Sequence, residues 1–463
     1  MAEIRTFRTG NFRELDEAKP SSMHWKIMFI SGMGFFTDAY DLFIIGVVMT
    51  MLQSLWHVGK LEQGLVESTA LLASAIGALL FGRIADMIGR KRIYGVEVLV
   101  LAAGAIACAF APNIWWLIGL RFILGIGIGG DYPVSAIIMS EYAGKASRGM
   151  MVTMVFAMQA AGLIVGPLLA SALLSTHISH NIIWRILLAF GAVPALAVYW
   201  SRRHLKETPR FLHASGHEED DQGKLVRAEH FNEKEHSVSF WDGFHRLVND
   251  NKLLSRLVGV SLAWFLMDFA HYGNTVWSPL VLSALGAHDS LLKKTLTQLV
   301  IFGVFAAPGY AAAVLTMDRL GRKTIQSVGF GMMAVAFGVM ALVPNIQKMV
   351  MPFVVIYGIS FFFTEFGPNA TTFVYLSEIF PVRVRSTGHG IAAAMGKLGG
   401  FFGVFTFPFL MHWHGLLAAE SGAAIVSVLG LFATLALLPE TKGKSLEELS
   451  SEPETPAERA QAA

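Results

Sequence analysis

Twelve stretches of this chain are each apolar enough, over about 20 residues, to cross a lipid bilayer. They begin near residues 24, 64, 93, 114, 149, 182, 254, 295, 325, 349, 386 and 416. Hydrocarbon offers no water to satisfy backbone N–H and C=O groups, so segments of this length must be helical. Composition supports that solvent: 54% of residues are hydrophobic and 15% charged, against roughly 25% charged in soluble domains. Mean hydropathy is +0.53. The expected fold class is an all-α integral membrane protein of twelve transmembrane helices in two pseudo-symmetric six-helix halves.

Basic residues gather in every second connection: Arg83 to Arg92, Lys145 and Arg148, Arg202 to Arg210, Arg319 to Lys323, and Arg383 to Arg385. The positive-inside rule makes those connections cytoplasmic. The alternate connections are short and poor in such charge, Lys293 and Lys294 excepted, and an even number of spans places both termini inside. The 36 basic and 34 acidic residues leave a net charge of +2, which orientation explains, so no nucleic-acid partner is expected. Residues 1–22 lack the apolar core of a signal peptide, and the first span is expected to be retained. The single cysteine, Cys108, excludes an intramolecular disulfide.

The long charged run from Arg202 to Lys252, containing "HEEDDQGKLVRAEHFNEKEH", separates the two sets of six spans. The expected organisation is a cytoplasmic N-terminal segment (1–23), a first half (24–201), a cytoplasmic linker (202–252), a second half (253–438) and a polar cytoplasmic tail (439–463). Internal repetition supports it. "DMIGRK" at Asp86 to Lys91 recurs as "DRLGRK" at Asp318 to Lys323, 232 positions on from 86 to 318. Ser140, Glu141 and Arg148 recur as Ser377, Glu378 and Arg385, 237 positions on. Repeated halves around a midplane site suit a carrier that exposes the site to each side in turn. Asp86, Arg90, Asp318 and Arg322 are expected to form a cytoplasmic latch that pairs with helix ends and opens as the halves rock.

Polar residues interrupt the spans: Asp38 and Asp41 in "FFTDAYDLF", Asp131 and Tyr132 in "GGDYPVSAIIMSE", Gln159, Asp268 in "AWFLMDFAHYG", Glu365 and Asn369 in "FFFTEFGPNATTF", and Lys397 in "AMGKLGG". An acid at a helix centre costs about 2.5–3.5 kcal/mol on insertion scales. Five of them must therefore face the bundle interior, pair with bases or carry protons. Trp264, Asp268 and Tyr272 lie four apart and form one helical stripe about 12 Å long. It offers an indole donor, a carboxyl and a phenol to a ligand. Asp38 and Asp41, three apart, share a face, and two carboxylates so placed resist joint ionisation, which suits a proton carrier. Arg121, in the fourth span, is the cation expected to reach one of them. A displacement of 237 carries Tyr132 onto Asn369, and one of 230 carries Asp38 onto Asp268.

With these residues in place, the chain resembles the phosphate:proton symporter family of the major facilitator superfamily. "GGDYPVSAIIMSE" is similar to that family's fourth-span signature, and "GFFTDAYDLF", "FAMQ", "WFLMDFAHYG", "FGPNATTF" and "GRIADMIGRKR" also match, covering both halves. "RFILGIGIGG" and "PETKG" are signals of the wider superfamily. The resemblance implies a major facilitator fold and a phosphate site at Tyr132, Gln159, Trp264, Asp268, Tyr272 and Asn369. It implies proton passage by Asp38 or Asp41 and Asp131. Two positions depart from the family: Glu365 stands where relatives carry asparagine, and "VYLSE" replaces a "PGE" or "PAE" ending. Glu365 and Lys397 are further candidates for a substrate or proton site.

The implied function is proton-coupled import of inorganic phosphate. A phosphate monoanion still carries protons, so Asp268 can accept from it while Tyr132, Tyr272, Trp264 and Asn369 donate. The alternatives are a proton-coupled carrier of an organic anion and a phosphate-sensing receptor without net flux. An enzyme is not expected, because no nucleophile elbow or phosphate-binding glycine loop stands out, and "GIGIGGD" reads as close helix packing. His412 and His414 alternate without metal-ligand spacing, so neither a metal nor a cofactor is expected. The expected partners are phosphate, protons and the bilayer of the plasma membrane.

Overall fold

The computed structural model describes residues 12–215, 217–219, 225–227, 241–283 and 290–450. Twelve helices among them are long and apolar enough to span a bilayer. They are α1 (Ser22–Trp56), α2 (Lys60–Ile88), α3 (Arg90–Ala109), α4 (Ile114–Tyr142), α5 (Arg148–Leu174) and α6 (His180–Arg203) in the first half. The second half has α7 (Asn251–Val276), α8 (Leu291–Leu320), α9 (Arg322–Leu342), α10 (Val350–Glu378), α11 (Val382–His412) and α12 (His414–Leu437). Each begins within four residues of the start that hydropathy gives. A short antiparallel pair, His217–Glu219 with Leu225–Arg227, is the only sheet among the described residues. Part of the charged run between the halves (216, 220–224 and 228–240), together with residues 1–11, 284–289 and 451–463, lies outside the described residues.

Local chemistry explains the helix ends. The Asn113 side chain accepts from the Trp115 and Trp116 amides at 3.1 Å and starts α4. Asp250 accepts from Lys252 and Leu253 and starts α7. Each satisfies donors that a helix N-terminus otherwise leaves orphaned. Gly89 and Gly321, the glycines of the two "DxxGRK" motifs, have φ of +101° and +90°, a region that side-chain-bearing residues avoid. That shared requirement turns the chain sharply from α2 into α3 and from α8 into α9. Gly415, at φ +68°, breaks a continuous 53-residue helical run into α11 and α12.

Three close pairings surround the centre. In α4 the "GIGIGG" run lets Gly125 and Gly129 approach the α2 backbone at Ala70 and Ser74, where a Cβ would collide. This is the close packing that small residues permit between membrane helices. Helix α11 lies along both α2 and α7 and so joins the halves. Helix α10 does not run regularly through its middle: Glu365–Asn369 forms a π-helical turn with Pro368 inside it and Gly367 at φ −95°, ψ −114°. Such turns release backbone from the ladder and re-aim side chains, here the two polar residues of "EFGPN".

Candidate functional site

The six residues expected to bind substrate converge at the centre of the bundle, all of them at most 3% exposed. Lys397 of α11 is their hub. Its ammonium donates to Tyr272 Oη at 2.7 Å and to Asp268 Oδ2 at 3.3 Å. It also stands 4.2 Å from the Tyr132 ring centroid and 5.9 Å from that of Trp264. The α7 stripe of Trp264, Asp268 and Tyr272 thus faces α11, while Tyr132 closes the site from α4. Phe43 stacks on Tyr272 with centroids 5.3 Å apart, and Phe35 meets Tyr132 edge-on at 5.0 Å. Apolar rings around one cation and one carboxylate strengthen every polar contact between them.

Gln159 and Asn369 join the same site through a residue outside the sequence-derived set, Tyr310 of α8. Gln159 Nε2 donates to Tyr132 Oη at 3.3 Å, and Tyr310 Oη donates to Gln159 Oε1 at 2.9 Å. Asn369 Nδ2 in turn donates to Tyr310 Oη at 2.9 Å and also to Glu365 Oε2. One hydrogen-bonded chain therefore crosses from the first half to the second. Tyr310 sits in the otherwise apolar "FAAPGYAAAVL", and a lone phenol there is the signal that marks it.

The acids expected to carry protons occupy two different environments. Asp131 points away from Lys397 and forms a bidentate pair with Arg202, at 2.7 and 3.1 Å. Arg202 also binds Glu97 at 2.9 Å, and its guanidinium covers the Tyr94 ring at 4.4 Å. Gly34 of α1 lies directly on this pair, where any side chain would collide. Asp38 is fully buried, and neither of its carboxylate oxygens has a hydrogen-bond partner among the described residues. The charged groups whose fields reach it are Asp131, Arg202, Lys397 and Asp41.

Arg121 of α4 reaches across to Asp41 of α1. Its guanidinium donates to the backbone carbonyls of Val66 at 2.8 Å and Asp41 at 3.5 Å, and it forms no ion pair among the described residues. Asp131 takes a cation outside the sequence-derived set, Arg202, which charge pattern alone assigns to the linker. Arg202 sits in the last turn of α6 and is completely buried. The Asp41 Oδ2 atom has no partner, and Gly191 of α6 lies against that carboxyl. Glu97, in "GVEVLVL", is a further intramembrane acid that a search of every ionisable residue within the spans would find.

At the end of the bundle where α2 meets α3, the repeated motifs form mirrored contacts. Asp86 accepts from the Ser386 and Thr387 amides at 3.2 and 2.6 Å, at the start of α11. Asp318 accepts from the Gly149 and Met150 amides at 3.1 and 2.8 Å, at the start of α5. Each aspartate caps a helix of the opposite half, where the helix dipole favours negative charge. Arg90 pairs with Asp86 at 3.2 Å and Glu141 at 3.4 Å, and Arg322 pairs with Asp318 at 2.9 Å and Glu378 at 2.5 Å. Arg385 crosses to Glu141 at 3.1 Å. Glu207, beyond α6, accepts from the Lys91 amide at 3.1 Å. Glu440, beyond α12, accepts from the Lys323 amide at the same distance. Burial pushes the Glu207 carboxyl above the usual carboxylate range, partly offset by Arg90.

Known proteins share both sequence and architecture with this chain. Residues 26–452 match the family model described as sugar (and other) transporter. A probable inorganic phosphate transporter 1-7 of Arabidopsis thaliana is 36% identical, over 95% of this chain and 94% of that protein. A low affinity inorganic phosphate transporter 1 of Petunia hybrida is 35% identical, over 95% of each. The solved structure of the proton:xylose symporter XylE bound to 6-bromo-6-deoxy-D-glucose aligns with a TM-score of 0.78 at 22% identity, covering 93% of this chain and 99% of that one. The chain therefore belongs to the major facilitator superfamily, in the branch of its sugar (and other) transporter family that includes the inorganic phosphate transporters.

Proposed function

We propose that this protein imports inorganic phosphate with protons by alternating access. The observation that carries the reading is Lys397: a buried ammonium at the midplane, held by Asp268 and Tyr272 and covered by Tyr132. An arriving phosphate monoanion offers the ammonium a second negative partner while its own P–OH donates to Asp268. Tyr132, Gln159, Trp264, Tyr272 and Asn369 supply the remaining donors, and a bond from a charged donor contributes about 1.5–3 kcal/mol. The relatives named as inorganic phosphate transporters support this choice of anion.

Proton coupling is assigned to Asp38 with Asp131, and Asp41 is a second carrier on α1. Neutralising these acids lets the loaded carrier reorient, since moving net charge through hydrocarbon is costly. Arg202 is the cation that pairs with Asp131, and Arg121 reaches Asp41. In this reading the latches close the cytoplasmic end, both termini are cytoplasmic, the membrane is the plasma membrane, and the charged segment 202–252 links the halves. One net positive charge entering down about 100 mV contributes roughly 2.3 kcal/mol, somewhat less than a hundredfold accumulation.

The test is uptake of labelled phosphate into proteoliposomes under an imposed inward proton gradient, with and without a protonophore and with organic acids as competitors. Gradient-dependent phosphate uptake that the protonophore abolishes is the expected result. Preferential uptake of an organic acid, or binding of phosphate without flux, would replace the proposal with an organic anion carrier or a receptor.

A further inference from the structure

Glu365 is a carboxyl that packing alone does not explain. It lies in the π-helical turn of α10, fully buried, with Oε2 accepting from Asn369. Its other oxygen, Oε1, has no hydrogen-bond partner among the described residues and faces His271 Nδ1 across 3.7 Å. His271 is itself 3% exposed. Rings enclose it on three sides: Phe43 of α1 at 5.6 Å, Tyr272 at 5.2 Å and Phe361 of α10 at 6.4 Å. Thr275 hydroxyl lies 3.4 Å from its Nδ1.

The charged and titratable groups around the pair are few. Tyr310 of α8 approaches Glu365 from one side, and Asp268, one turn along α7 from His271, acts on it from another. Lys397 of α11 is the cation that acts on His271, and it is already engaged by Asp268 and Tyr272. Helix α1 contributes the Phe43 ring. A carboxylate facing a neutral imidazole here is an uncompensated buried anion, and a carboxylic acid facing imidazolium is an uncompensated buried cation. One proton held jointly leaves the pair neutral as a whole, and such a dyad titrates as a unit.

The pair is wired to the central site. Glu365 bonds Asn369, Asn369 bonds Tyr310, Tyr310 bonds Gln159, and Gln159 bonds Tyr132. A phosphate that accepts from Asn369 draws that amide away from Glu365 and changes what the carboxyl can hold. We propose that Glu365 and His271 form a one-proton carrier in the second half, additional to the acids of α1 and α4, and coupled to substrate through Asn369 and Tyr310. This rests on the phosphate reading of the central site. It adds one proton to each transported phosphate.

The test compares wild type, Glu365→Gln and His271→Gln in proteoliposomes, recording proton entry with a pH-sensitive dye alongside labelled phosphate. The glutamine at 365 preserves the shape and the contact with Asn369. The expected result is one proton fewer per phosphate in both variants, with a shallower pH dependence of uptake. An unchanged proton-to-phosphate ratio in both would overturn the dyad. Wild type that moves no phosphate would instead sink the reading of the central site. The dyad is then still decided by infrared titration of the purified proteins. A carboxylic C=O band that titrates in wild type, disappears in Glu365→Gln and shifts in His271→Gln supports it, and identical titrations in all three refute it.

Discussion

The two halves agree closely where they meet at the latch end and differ sharply at the midplane. At the latch end, Asp86 caps α11 and Asp318 caps α5, while Arg90 with Glu141 mirrors Arg322 with Glu378. At the midplane the first half holds Asp38 without a partner and Asp131 bound by Arg202, whereas the second holds Asp268 bound by Lys397. On the proposed alternating-access reading, rocking needs the same contact on both sides, which the paired motifs supply. On the same reading the midplane carries different chemistry in each half, a carboxylate–guanidinium pair in the first and a carboxylate–ammonium pair in the second.

The largest effect that would sharpen this contrast is expected at Lys397. Lys397→Gln removes a charged donor worth about 1.5–3 kcal/mol, so KM for phosphate should rise roughly ten- to hundredfold, read in proteoliposome uptake. Asp268→Asn should lose phosphate binding as well. Phosphate binding unchanged in both would remove the midplane from the substrate path.

A middle-sized effect is expected at the latches. Losing a helix-capping acid costs about 0.5–2 kcal/mol, and each cap accepts from two backbone amides of the opposite half. Asp86→Ala and Asp318→Ala should therefore shift the population of open forms by similar factors, about two- to thirtyfold, measured by spin-label distances across that end. A large effect from one and none from the other would break the symmetry between halves.

The smallest effect is expected at Glu207, outside the spans. Its carboxyl lies above the usual range because of burial, with Arg90 pulling the other way. The folded state then binds this proton more tightly than the unfolded chain, so stability falls as pH rises through the window above the ordinary carboxylate value. Glu207→Gln should flatten that slope in thermal unfolding followed across pH.

Much of this was legible before any coordinates. The twelve spans follow from hydropathy because hydrocarbon leaves the backbone no alternative to helix. The latch acids follow from the repeated "DxxGRK", and the α7 stripe from a spacing of four. What escaped depends on contacts between distant helices. Arg202 lies among basic residues that orientation already explains, and only the fold of α6 over Gly34 brings it to Asp131. Arg121 meets Asp41 through that residue's backbone carbonyl while bonding the Val66 carbonyl of α2, a reach that spacing along the chain does not give. Tyr310 carries no charge to draw notice, although it joins Gln159 to Asn369.

The division of labour between a binding hub and a proton store is tested most directly in Asp38→Asn. Phosphate–phosphate exchange without a gradient and phosphate accumulation driven by an imposed proton gradient would be measured in the same proteoliposomes. Exchange should persist near the wild-type rate, because Asp38 makes no hydrogen bond to the Lys397 hub, while driven accumulation should collapse. Accumulation at the wild-type level, or loss of both activities together, would contradict the assignment.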